Sequence, residues 1–265
     1  MRSIHRNFRK LALGLAAVLW LAGTASAAEI RVMISGGLSA AYNALVPEFE
    51  RMTGHKVLTA YGPSMGTTQN AIPMRLERGE GADVLILVGY ALGELIKQGK
   101  VMPDSRVDLV RSKIGVAVKA GAPKPDISSA DALKRTLLAA KSVAYSDSAS
   151  GVYISTEMFA KLGIADEMKD KARKIPATPV AEIVAKGEAE IGFQQVSELK
   201  PVAGIDLVGP LPAELQKITV YSAGIATMSK EPEAGEALIK FLTSPAATAD
   251  FVKSGMEPIP PTATN

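Results

Sequence analysis

The spacing of apolar and polar positions changes repeatedly along this chain, and each change marks an element. Ile30 to Ile34 is a short β-rich run that Ser35-Gly36-Gly37 breaks. Ala40 to Met52 follows, with Leu45, Val46, Phe49 and Met52 at helical spacing and Ser39 where an N-cap belongs. Lys56 to Tyr61 reads as a second strand, ending in Gly62-Pro63-Ser64-Met65-Gly66-Thr67-Thr68. A helix is predicted over Gln69 to Arg78, with Pro73 at a kink or in its true first turn. Ala82 to Val88 is a continuous apolar run, which suits a strand buried on both faces of a parallel sheet. The helix Tyr90 to Gln98, closed by Gly99, completes a third strand–helix alternation, and that repetition predicts an α/β fold.

The second half continues the pattern. Asp108 to Lys119 is a longer strand-like stretch stopped by Gly121, Pro123 and Pro125, and is taken as the crossover into a second lobe. Ser128 or Ser129 caps a helix through Ala140, and Ser142 to Tyr145 is a short strand. The polar turn Ser146 to Gly151 leads into a helix over Val152 to Leu162. Val180 to Lys186 is helical, and Glu190 to Phe193 is a strand ending at Gln194-Gln195. Ile218 to Thr227 reads as the return strand, with closing helices over Glu233 to Leu242 and Ala246 to Ser254. The expected organisation is residues 28–119 and 222–265 in a first, discontinuous lobe and 120–221 in a second. Hinges are expected near Lys119–Pro125 and around Ser222–Ala226.

The amino-terminal segment changes how the rest is read. Arg2, Arg6, Arg9 and Lys10 precede a short apolar run from Leu11 to Ala22, and Ala25-Ser26-Ala27 is a small-residue cleavage site. The run is about a dozen residues, whereas a membrane-spanning helix needs roughly 20. Residues 1–27 are therefore expected to be a cleaved export signal, and the periplasm is the expected location. Four of the 30 basic residues lie in this segment and none of the 27 acidic ones does, so its removal takes the balance from +3 to about −1. A basic footprint for nucleic acid is then missing. Cysteine is absent, which excludes disulfides, thiolate chemistry, cysteine-held metals and lipid attachment through an N-terminal cysteine.

A strand that ends in a Gly- and Ser/Thr-rich loop and then opens a helix occurs at Ser35–Ser39, Gly62–Thr68 and Ser146–Gly151. In open parallel sheets, ligands bind beyond the carboxyl ends of the strands. Helix starts there offer free N–H groups and a positive dipole end. Three such starts facing one cleft would hold an anion with neutral donors. The candidate ligand-binding residues are Gly37, Ser39, Ser64, Met65, Thr67, Ser148, Ser150, Gly151, Gln194 and Gln195. Arg75 and Arg78 read as a solvated helix face and Tyr153 as core.

Across residues 28–265 the sequence resembles the substrate-binding proteins of bacterial ABC importers, within them the molybdate-binding type. The resemblance rests on Ser35-Gly36-Gly37-Leu38-Ser39, on Arg78-Gly79-Glu80-Gly81-Ala82-Asp83-Val84, and on Ala144-Tyr145-Ser146-Asp147 before Ser150-Gly151. It continues in Gly187 to Phe193 and in Ala237 to Pro245. It implies a two-lobed periplasmic binding protein of type II, each lobe a mostly parallel sheet flanked by helices, joined by crossing strands. It also implies an oxyanion clamped between the lobes and a permease in the inner membrane as partner. The family's first-loop serine falls at Gly37, its serine-rich second loop at Pro63 to Thr67, and its later tyrosine at Gln195.

The function expected on these grounds is solute binding: a small anionic solute held by lobe closure, by a monomer without cofactor or metal. A small organic anion such as a carboxylate is the alternative, and a pocket-facing Arg75, Arg78 or Arg111 would favour it. An enzyme is the rival of another class. Beyond the signal segment His55 is the only imidazole, and no GxSxG elbow or HExxH pair is present. The expectation is accordingly that the chain is not an enzyme.

Overall fold

The computed structural model describes residues 27–260, so the export-signal expectation for residues 1–27 falls almost wholly outside the described part. Two sheets carry the fold. The first has the order β11-β4-β10-β3-β1-β2, with β1 Glu29–Ile34, β2 Lys56–Tyr61, β3 Val84–Val88, β4 Val107–Ser112, β10 Thr219–Ile225 and β11 Glu257–Pro258. The second has the order β7-β6-β8-β5-β9, with β5 Ile114–Lys119, β6 Val143–Ser146, β7 Ala172–Ile175, β8 Ile191–Gln195 and β9 Ile205–Pro210. This is the α/β fold that the alternation predicts, in the two-lobed form that the resemblance implies.

Each sheet is mixed, for a topological reason. β1 runs parallel to β2 and β3, and β6 parallel to β7 and β8, because a helical crossover joins or separates these strands. β5 and β10 arrive from the opposite lobe and pair antiparallel with β8 and β3. Each also pairs antiparallel on its other side, β5 with β9 and β10 with β4. "Mostly parallel" therefore holds only for the strand–helix–strand half of each sheet.

The stretch Asp108 to Lys119, expected as one strand, is two. β4 ends at Ser112, β5 begins at Ile114, and the chain passes between sheets at Lys113. It returns between Pro210 and Thr219. The hinge regions expected near Lys119–Pro125 and Ser222–Ala226 thus lie at the end of β5 and inside β10, not at the crossings. A uniformly apolar run gives no sign of the residue at which its hydrogen-bonding partners change.

Burial explains the strand patterns. All five residues of β3 are buried, as its central place between β1 and β10 requires, whereas the edge strand β2 is half exposed. One face of the first sheet packs Tyr42, Leu45 and Phe49 of helix Ser39–Thr53 against Leu238 and Phe251. The second lobe has its own core around Val116, Leu133, Ile154, Met158 and Phe193. Just ahead of β3, buried Asp83 accepts hydrogen bonds from the N–H of Arg31, Lys230 and Glu231 and from the Ser229 hydroxyl, at 2.8 to 3.2 Å. That carboxylate ties the sheet to the loop preceding helix Pro232–Leu242.

Several helix starts differ in detail. Ser39 is the first residue of its helix, not the cap: a 3-10 turn over Gly36–Leu38 precedes it, and its hydroxyl donates to the Gly36 carbonyl at 2.7 Å. Ser129 is the cap of helix Ala130–Ala139, accepting from the Ala132 N–H. Pro73 lies in the first turn of Ile72–Glu77. The helix expected over Val152 to Leu162 starts at Ala149 and contains a π-helical stretch, Ile154–Met158. β7, β9 and the short helix Val196–Leu199 carry no strong period and have no counterpart in the sequence-based prediction.

Candidate functional site

A cleft of about 300 Å³ lies between the lobes, within the range of small-molecule sites. The carboxyl ends of five strands build it. Ser35 and Gly36 follow β1, Gly62 and Pro63 follow β2, and Ser146, Asp147 and Ser148 close β6. Ala177 to Pro179 follow β7, and Gln194 and Glu198 end the β8 segment. Parallel strands leave their carboxyl ends on one side of a sheet, and here the two sheets turn those sides toward each other.

The ten sequence-predicted residues divide by what their polar atoms already do. Ser39, Ser148 and Gln194 line the cleft. Ser64 is fully buried, its hydroxyl accepting from the Val88 N–H at 3.0 Å, and Met65 takes a hydrogen bond from Tyr90 on its sulfur. Thr67 is exposed and outside the lining. Ser150 is buried against the Ser146 hydroxyl at 2.9 Å. Gly151 packs so closely on Ser146 that a Cβ there would lie 1.6 Å from its carbonyl oxygen. Gln194 accepts the Val180 N–H at 2.9 Å on its Oε1. Gln195 is buried facing the crossing strand, with Nε2 on the Thr219 hydroxyl at 2.9 Å and Oε1 without a partner. Gly37 is buried and outside the lining.

The lining contains no Lys or Arg; its charged members are Asp147 and Glu198. Arg75 pairs with Glu80 and donates to the carbonyl of the lining residue Asn70, Arg78 reaches the Gln69 carbonyl, and Arg111 pairs with Glu257; none of the three is in the lining. His55 lies far along the first lobe, accepting from the Ala28 N–H and stacked near Phe49. Ala177, held at φ 58° where side chains rarely go, aims its N–H at the Asp147 carboxylate at 3.2 Å.

Glu198 went unrecognised in the sequence reading. It projects from helix Val196–Leu199, directly after β8, and is partly buried with its carboxyl in the cleft lining. Loss of surrounding water pushes that carboxyl up to about 7, against the pull of hydrogen bonds from the Gln194 side chain and the Gln195 backbone; the Asp147 charge adds to the rise. A carboxyl that changes charge near neutral pH inside a solute-sized cleft is suited to proton transfer. The available signal was an acid shortly after a strand whose last two residues are polar.

The same short helix docks onto the first lobe. The Ser197 hydroxyl donates to the Gly37 carbonyl at 2.6 Å. A Cβ on Gly36 would lie 2.8 Å from Glu198 Oε1, and one on Gly37 would lie 2.0 Å from the Tyr221 hydroxyl. Two consecutive glycines thus admit a carboxyl from one lobe and a phenol from the other.

Two-lobed binding-protein architecture with a cleft at the strand ends defines the class. Residues 30–257 match the family model for bacterial extracellular solute-binding proteins, and the chain belongs to that family. Among its relatives, aconitate isomerase from a Pseudomonas species is 50% identical over 231 residues, 87% of this chain and 88% of that protein. The molybdate-binding protein ModA of Azotobacter vinelandii is 28% identical over 91% of this chain and 94% of its own. The solved periplasmic molybdate-binding protein of Azotobacter vinelandii superposes with a TM-score of 0.66 at 21% identity, covering 86% of this chain and 98% of that one. The expectation that the chain is not an enzyme is corrected by the first of these: a relative half identical over most of the chain is named for an isomerase. Histidine triads and metal motifs do not exhaust enzyme chemistry, because a carboxyl can also move protons.

Proposed function

We propose that the chain binds a small polycarboxylate of the aconitate class between its lobes and isomerises it, with Glu198 carrying the proton. The observation behind this reading is the Glu198 carboxyl, held near neutral pKa in the lining of the inter-lobe cleft. The half-identical isomerase supports the choice of substrate class.

The chemistry needs little else. An aconitate carries a CH₂ bearing one carboxylate next to a carbon–carbon double bond bearing two. Ionised Glu198 takes a proton from the CH₂, and the released electron pair forms the new double bond. The old double-bond pair takes up a proton at the far carbon, returned by Glu198, which is thereby ionised again. One C–H bond breaks, one forms, and the double bond moves by one carbon. No oxidant, metal or leaving group is involved. Neutral donors at the helix starts, including Ser35, Ser148 and Thr178, hold the carboxylates.

A second reading, solute capture for delivery to an ABC permease, is favoured by a lining without Lys or Arg, which suits an oxyanion bound by neutral donors. One experiment separates the two. Purified protein is incubated with cis- or trans-aconitate and followed by proton NMR, alongside thermal-shift measurements with molybdate and sulfate. Interconversion at catalytic protein concentration supports the first reading. Stabilisation by an oxyanion without turnover of aconitate overturns it.

A further inference from the structure

We infer that Tyr221 is a second catalytic residue of the isomerisation proposed above, its hydroxyl donating a hydrogen bond to the substrate carboxylate beside the carbon that loses its proton. The inference rests on that reading of the cleft.

Tyr221 belongs to β10 and its ring is sunk in the core of the first lobe, 2% exposed. Buried tyrosine hydroxyls ordinarily find a partner. The two other buried tyrosines do: Tyr42 bonds Thr59 and Tyr153 bonds the Leu215 carbonyl. Among the described residues no hydrogen bond holds the Tyr221 hydroxyl. It ends instead at Gly37, where any side chain would collide with it, one residue from the glycine that makes room for Glu198. Adjacent α-carbons lie about 3.8 Å apart, so the two groups meet one turn at neighbouring residues; that turn lines the cleft at Ser35 and Gly36, and Gly37, where Tyr221 ends, is the next residue along, outside the lining.

The two groups are fitted to different tasks. Burial, together with the nearby charges of Glu198 and Tyr90, pushes the Tyr221 phenol well above its usual range. It therefore stays an O–H donor at working pH and keeps its proton throughout. As Glu198 removes the CH₂ proton, negative charge spreads onto the adjoining carboxylate, and a fixed neutral donor there is worth most in the transition state. Water would donate equally well in solution, but a preplaced hydroxyl does not have to reorient.

The test is Tyr221→Phe, which removes one oxygen and leaves the ring in the core. With aconitate as substrate, kcat falls about 100-fold or more, while KM and the calorimetric affinity change less than about threefold. An undiminished kcat overturns the assignment, and so does a loss confined to KM. Should Tyr221→Phe not fold, 3-fluorotyrosine placed at 221 replaces it; a stronger donor then raises kcat, and an unchanged kcat overturns the assignment. A wild-type protein that fails to isomerise aconitate overturns the proposed function itself, which distinguishes that failure from this one.

Discussion

Two carboxylates in this molecule are both pushed up by loss of water and end with opposite properties. At Asp83 burial pushes the carboxyl up, yet backbone N–H groups of Arg31, Lys230 and Glu231 and the Ser229 hydroxyl together hold it below its usual range. At Glu198 burial is again the largest influence, but only Gln194 and Gln195 oppose it and Asp147 reinforces it, so the carboxyl rises to about 7. Four donors aimed at the charge outweigh the push from burial at Asp83, and two do not at Glu198. Asp83 is thereby a permanently charged structural tie. Glu198 is a group that changes charge near neutrality, and it faces the cleft.

The largest expected effect breaks the functional side of this contrast. Glu198→Gln keeps the volume and removes the proton carrier, so kcat for aconitate should drop by about 10³- to 10⁴-fold while binding survives. A variant retaining a tenth of wild-type turnover would remove Glu198 from the chemistry. Thermal melting at pH 8 should be unchanged or higher, because a poorly solvated charge is gone.

Asp83→Asn tests the structural side. Its four donors lose a charged acceptor, and unfolding free energy should fall by about 3 kcal/mol in denaturant titrations. Turnover of the folded protein should be unchanged. The wild-type contribution has the sign of a depressed carboxylate. It is present above the unfolded value of about 3.9 and lost as pH falls through the lower folded value. A variant as stable as wild type at neutral pH would show the tie to be idle.

pH sharpens the contrast next. Glu198 in the folded protein holds its proton up to about 7, where the unfolded chain has already released it, so its contribution to stability falls as pH rises from about 4.3 through 7. Proton abstraction needs the ionised form, so kcat should climb through this range to a plateau. Affinity for an unreactive saturated tricarboxylate should move the other way, weakening by up to about tenfold per unit above 7, because the anion meets a charged carboxylate. Calorimetry in Glu198→Gln should lose that dependence.

The smallest effect concerns the contact that seats Glu198. Ser197→Ala removes the 2.6 Å bond to the Gly37 carbonyl between the lobes, worth about 1 kcal/mol. Ligand affinity should weaken by about fivefold through a shift toward the open form, visible in small-angle scattering of the free protein. Unaltered scattering and affinity would mean that the short helix is held by packing alone.

Much of the architecture was legible because it rests on local pattern. The continuous apolar run at β3 announced a central strand, the alternation of strand and helix announced α/β lobes, and Ser129 announced its helix. The cleft's location was legible for the same reason, since three Gly- and Ser-rich strand ends were visible in sequence. Its chemistry was not. Serines in those loops looked like ligand donors, but Ser64 and Ser150 are occupied inside the fold, and nothing in a local window shows whether a hydroxyl turns inward or outward. Glu198 and Tyr221 carry no motif, and their significance arises only from their meeting at Gly36 and Gly37.

The sequence by itself determined the periodicities, the positions of the turns and the neutral donors at the helix starts, because those depend on residues a few places apart. The tertiary structure decided where the chain changes sheets, which hydroxyls remain free and which carboxyl loses its water. Pairing and solvation depend on neighbours brought from distant parts of the chain, such as Tyr221 against Gly37, and the folded shape alone sets them.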